Sequence, residues 1–111
     1  MIVAGFGFSS RATVESLKGA LAATGQTPDK VATLADKAAL LAGLGLPVIA
    51  VTGPLPDTPT QSAASLAARG VGSVAEGCAL AAAGPGAYLL GPRRVSPDGL
   101  ATCAIAKGMG A

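Results

Sequence analysis

The chain opens on an apolar run, Ile2-Val3-Ala4-Gly5-Phe6, too short for a helix, which predicts a buried strand of an α/β sheet. A glycine-rich stretch, Gly5-Phe6-Gly7-Phe8-Ser9-Ser10, reads as the turn after it. Helix-start chemistry comes next: Thr13 is placed to cap and Glu15 falls in the first turn, with Leu17, Ala20, Leu21 and Ala23 on one face and Gly25 as the stop. The first unit is thus strand, glycine turn, helix.

Thr27-Pro28-Asp29 has the form of another helix start, with a cap, a proline and an acid. The residues beyond it fit two patterns. Val31, Leu34, Ala38 and Leu41 are spaced as on one long helix, which periodicity slightly favours, whereas Val31-Ala32-Thr33-Leu34-Ala35 also suits a short buried strand. Pro47-Val48-Ile49-Ala50-Val51 is a clearer strand, fenced by Gly45 and Gly53. Thr52 to Pro59 is proline-rich and predicts an irregular connection. Thr58-Pro59-Thr60-Gln61 has capping-box form and opens a helix through Leu66 to Arg69 that stops at Gly70. A second box, Ser73-Val74-Ala75-Glu76, opens a small-residue helix from Ala75 to Ala83 that stops at Gly84. The end reads as a hairpin: Ala87 to Leu90, a loop holding the Pro97-Asp98-Gly99 turn signal, and Leu100 to Ala106, with a frayed tail from Lys107.

Composition narrows the chemistry. At 111 residues the chain is sized for one small domain, and its hydrophobic half is padded with alanine, so the core must be built from small side chains. With no histidine, the Ser-His-Asp triad, the Cys-His dyad and histidine-based zinc sites are excluded. Cys78 and Cys103 are far apart and lack CxxC partners, which predicts buried thiols and neither a disulfide framework nor a metal site. A net charge of +2, with cations scattered from Arg11 to Lys107 and few aromatics, gives no stripe or stacking platform for nucleic acid. The uncharged stretch from Ala38 to Pro56 is broken by glycines and prolines and does not make a membrane span. The N-terminus lacks the form of a signal peptide, so a cytoplasmic location is expected.

The polar residues offer one candidate constellation. Gly5 and Gly7 would allow close approach of a ligand, and Ser9, Ser10 and Arg11 would present hydroxyls and a guanidinium to carboxylates or phosphates. A dinucleotide fingerprint would require glycine where Ser10 stands, and Asp29 and Asp36 only straddle the position of its acid, so no cofactor is expected. Lys37, beside Asp36, reads as a surface ion pair or a further anion contact. Arg93-Arg94, in the hairpin loop, suits solvent or an anionic ligand. Glu76, Asp36 and Lys37 are the candidates for acid–base chemistry, although the capping box alone accounts for Glu76.

Four segments in order, VAGFGFSSRAT, TLADKAALLAGLGLPVIAV, GVGSVAEGCALAAAG and LATCAIA after a basic hairpin loop, resemble the cobalamin biosynthesis family of CobE and the C-terminal domain of the cobalt-precorrin-5A hydrolase CbiG. The resemblance covers essentially the whole chain, 1–111. Ser9 and Ser10 stand where family members commonly carry arginines, and Ala38-Ala39-Leu40 lacks the acid that usually comes after the Asp-Lys pair. The family implies a single three-layer α/β/α domain with a mixed sheet of about five strands and a C-terminal β-hairpin, and it resolves Val31 to Ala35 as a strand with a short helix after it.

The resemblance also implies corrin-ring synthesis. The hydrolase opens a precorrin lactone and releases a two-carbon fragment, using an N-terminal region without counterpart in these residues, so the chain looks like the CobE form. The expected partner is a precorrin or hydrogenobyrinic-acid-type intermediate, held by Gly5, Gly7, Ser9, Ser10, Arg11, Lys37, Arg93 and Arg94. Lactone hydrolysis, and a docking role toward another cobalamin-pathway enzyme such as a methyltransferase, are the alternatives. Neither nucleic acid nor membrane is an expected partner.

Overall fold

A computed structural model describes residues 1–52, 74–91 and 93–108. Strand β1 (Ile2–Phe8) sits at the centre of a mixed sheet. On one side it pairs in parallel with β2 (Lys30–Leu34), which pairs in parallel with β3 (Val48–Val51). On the other side it runs antiparallel to β6 (Ala101–Lys107), with Phe8 opposite Ala101 and Ile2 opposite Lys107. Beyond β6 lie β4 (Tyr88–Leu89) and β5 (Arg94–Val95), two fragments of one interrupted edge strand, both antiparallel to β6. The terminal hairpin is therefore formed. Gly99 takes φ +74°, a conformation that glycine adopts without penalty, and the Ser96 and Ala101 backbones close the turn.

The first helix, α1 (Val14–Thr24), begins as its sequence predicts. Thr13 accepts from the Ser16 N–H, and the Ser16 hydroxyl accepts from the Thr13 N–H, closing a reciprocal capping box. Gly25 ends the helix at φ +69°. Leu17 and Ala20 are buried and Leu21 half-buried, but Ala23 has turned out to solvent.

Pairing with distant strands overturns one local expectation and settles one open choice as the family resemblance implies. Thr27-Pro28-Asp29 starts no helix: the Asp29 N–H donates to the Ile2 carbonyl at 2.8 Å, and Asp29 Oδ2 accepts from the Ile2 N–H at 2.8 Å, so this segment clasps the start of β1. Val31, Ala32 and Thr33 then lie fully buried between two strands, and the helical spacing of Val31 and Leu34 yields to sheet pairing. The helical turns begin only at Ala35, as a tight 3-10 segment (Ala35–Leu44).

Alternate residues of β1 serve opposite faces. Ala4 and Phe6 pack with Leu17 and Ala20 of α1, Leu41 of the 3-10 segment and Ile105 of β6. Val3 packs on the other face with Ala32, Val51 and Cys78 of helix α2 (Val74–Ala83). Helix α2 covers β1, β6 and β2, so the layers are helical, sheet, helical. Most of the proline-rich stretch from Thr52 to Pro59, the helix expected from Thr58 to Arg69, and the Ser73 cap lie outside the described residues. No helix among the described residues is long and apolar enough to cross a membrane.

Candidate functional site

The carboxyl ends of β1, β2 and β3 point the same way. The chain leaves β1 and β2 onto one face of the sheet, whereas the element described after β3, helix α2, lies on the other. An open α/β sheet offers its crevice at such a reversal, outside the carboxyl ends of its strands. Here that edge gathers Ser9, Ser10 and Arg11 after β1, Asp36 and Lys37 after β2, the start of α2 with Glu76 in its first turn, and the hairpin turn before Ala101.

Side chains complete the end of β1. The hydroxyl of Thr33 donates to the Phe6 carbonyl at 2.8 Å, and that of Thr102 donates to the Gly7 carbonyl at 3.0 Å. The Lys37 ammonium donates to the Phe8 carbonyl and lies 5.2 Å from the centre of the Phe8 ring. Three successive carbonyls are thus satisfied by side chains, two of them from β2 and the segment after it. Lys37, expected to pair with its neighbour Asp36 or with an anion, takes β1 as its anchor.

Gly5 and Gly7 require a correction. Both lie inside β1, not in a turn beyond it, and both face α2. A Cβ on Gly5 would sit 2.1 Å from the Ala75 carbonyl oxygen and 2.4 Å from the Ala79 nitrogen; on Gly7 it would meet Thr102 Oγ1 at 3.2 Å and Val74 Cβ at 3.3 Å. The missing side chains admit the backbone of α2, and no ligand shares the space at Gly5 with it. The true turn is Ser9 to Arg11, one step later. There the Ser9 N–H donates to the Leu100 carbonyl at 3.0 Å, and the Ala12 N–H donates to the Ser9 carbonyl at 3.1 Å. Ser9, Ser10 and Arg11 are exposed on that turn.

Glu76 is fully buried, and its Oε2 is sealed from solvent. Asp36 is exposed. The candidate acids thus differ: one lies inside the layer beneath the edge and the other on its rim. Arg93 and Arg94 are not brought to this edge. Arg94 pairs with Cys103, which lies opposite Phe6, so it stands on the outer strand with β6 between it and β1.

The residue that fastens the hairpin to α1 carries no signal for that role in the sequence. Ser16 Oγ donates to Asp98 Oδ2 at 2.6 Å, while the Ser96 hydroxyl and the Leu100 N–H donate to Asp98 Oδ1. These donors hold the Asp98 carboxyl below its ordinary value of 3.8, the Ser16 bond contributing most. Asp98 reads locally as a turn residue, and its partner is 82 positions away. The buried thiols stand as expected, Cys78 in one core layer and Cys103 in the other, and burial pushes the Cys103 pKa up.

The family model described as cobalamin synthesis G C-terminus matches residues 2–106. Among solved structures, that of CobE, a protein from the cobalamin (vitamin B12) biosynthetic pathway, is 28% identical in sequence, with 98% of this chain and 91% of that chain covered at a TM-score of 0.80. The cobalamin biosynthesis protein chiG from Agrobacterium tumefaciens is 31% identical, with 97% of this chain and 98% of that chain covered at a TM-score of 0.63. No curated protein sequence matches.

Proposed function

The chain belongs to the cobalamin synthesis G C-terminal family and is a cobalamin-biosynthesis protein of the CobE/CbiG type, and on that premise we propose that it binds a precorrin or hydrogenobyrinic-acid-type corrin intermediate at the carboxyl edge of β1 and β2. The observation that carries this reading is the convergence on one sheet edge of Arg11, Lys37 and the Ser9 and Ser10 hydroxyls, above a layer packed from small residues. A corrin precursor is a planar, largely apolar ring rimmed with acetate and propionate groups. Such a ligand calls for an apolar surface with cations and hydrogen-bond donors at its margin. Arg11 has no ion-pair partner among the described residues and is ready for a carboxylate. Lys37 brings a second cation, held in place by Phe8.

Titration of the purified protein with hydrogenobyrinic acid, monitored through the visible spectrum, tests the reading. Saturable spectral change and co-elution of pigment are expected, weakened in Lys37→Met and Arg11→Met. No spectral change and no co-elution with any corrin intermediate would reject it.

The buried carboxylate of Glu76, at the start of α2 on the same edge, favours a second reading, hydrolysis of a precorrin lactone with Glu76 as general base. It predicts release of a two-carbon product that Glu76→Gln abolishes. Binding without any product leaves the carrier role alone.

A further inference from the structure

The outer edge of the sheet carries groups that the carboxyl-edge site leaves unused. Fragments β4 and β5 pair with β6 on one side, and among the described residues no strand pairs with them on the other. Three large apolar side chains are exposed on this short stretch: Tyr88 at 47%, Leu90 at 40% and Val95 at 51%. Residues opposed across paired strands share a face. Tyr88 therefore lies beside Lys107, and Arg94 beside Cys103, both on the α1 side of the sheet. The Leu90 N–H donates to the Ile105 carbonyl at 2.9 Å. Between this edge and the end of α1 opens a hollow lined by Thr24, Gln26, Leu90, Gly91, Arg94 and Ile105.

Charge selects the occupant. Arg93 and Arg94 belong to this edge and Lys107 lies beside it on β6 opposite Tyr88, and none of the three forms an ion pair among the described residues. A second copy meeting the edge about a two-fold axis would bring the cations of both chains to one seam, where like charges repel. Cations on an open edge guard against self-pairing in this way. An acidic partner meets the opposite condition.

We infer that the β4–β5 edge docks an extended segment of a partner protein bearing glutamate or aspartate side chains, added to the sheet as a further strand. The outward-facing backbone groups of Leu89 and Val95 supply the pairing, since those of Leu90 and Ser96 turn inward to β6, while Tyr88 and Leu90 cover alternate apolar side chains and a carboxylate enters the hollow at Arg94. This surface is independent of corrin binding.

The test uses a fluorescein-labelled peptide alternating glutamate and valine, with a lysine–valine peptide as control. Anisotropy at low salt should show saturable binding of the acidic peptide, and amide shifts should map to the two edge fragments. Arg94→Glu, an exposed change that spares the core, should weaken binding about ten-fold or more, while Lys37→Met leaves it unchanged. No saturable binding, equal binding of the basic peptide, full affinity in Arg94→Glu, or concentration-dependent dimerisation through this edge would overturn the inference.

Discussion

The two faces of the sheet are built on different scales, and β1 encodes both. Toward α1 it presents Ala4 and Phe6, which meet Leu17, Leu41 and Ile105 in a core of large side chains. Toward α2 it presents Val3, Gly5 and Gly7, and backbone meets backbone: the space a Cβ would need at Gly5 is filled by the main chain of Ala75 and Ala79. One strand thus sets two layer distances by alternating side-chain size. The glycines here govern how closely a helix approaches. Through that approach they bring the start of α2, with Glu76, down to the end of β1.

The largest expected effect comes from emptying the thick face. Phe6→Ala should cost about 3–5 kcal/mol in urea unfolding, because a fully buried ring leaves a cavity that the sheet cannot close. Filling the thin face is the next test. Gly5→Ala should cost about 3 kcal/mol, since the atoms it meets belong to the backbone and cannot rotate away. Gly7→Ala, whose nearest neighbours at 3.2 and 3.3 Å are side-chain atoms, should cost only about 1 kcal/mol. Equal costs at Gly5 and Gly7 would break the close-packing account. Amide exchange should localise the Gly5→Ala loss to α2 and the Phe6→Ala loss to α1.

A smaller effect is set by pH. Asp98 joins the hairpin turn to Ser16 of α1, and its pKa is lower in the folded chain than its ordinary 3.8. Its contribution to stability is therefore complete above the unfolded value and is lost as pH falls through the lower, folded value. Acid should loosen the junction of the hairpin with α1 before it affects α2. Unfolding of Asp98→Asn should lack this part of the acid dependence; an unchanged acid limb would remove Asp98 from the account.

Much of this organisation is legible in the sequence, for identifiable reasons. The first strand, the Thr13 cap, the Gly25 stop, β3 and the hairpin depend on local propensity and turn chemistry, which act over a few residues. The resemblance adds the mixed sheet and the strand at Val31. What is not legible depends on distant partners. Gly-x-Gly has the local grammar of a turn, but pairing with β2 and β6 holds it in a strand and the close approach of α2 makes glycine necessary there. Asp29 has the grammar of a helix start, and its actual partner is Ile2. Ser9, Ser10, Arg11 and Lys37 all lie after the carboxyl ends of β1 and β2, because equivalent ends of parallel strands share an edge. Arg93-Arg94 does not join them, since β6 intervenes between that edge strand and β1.

The two groups of cations define the sharpest contrast in the molecule, and one measurement addresses it. Amide shifts recorded during titration with hydrogenobyrinic acid should be largest at Ser9 to Arg11, at Asp36 and Lys37, and in the first turn of α2, with the β4–β5 edge unmoved. Saturable binding whose shifts fall on Tyr88–Leu89 and Arg94–Val95 while the carboxyl edge stays silent would contradict the account.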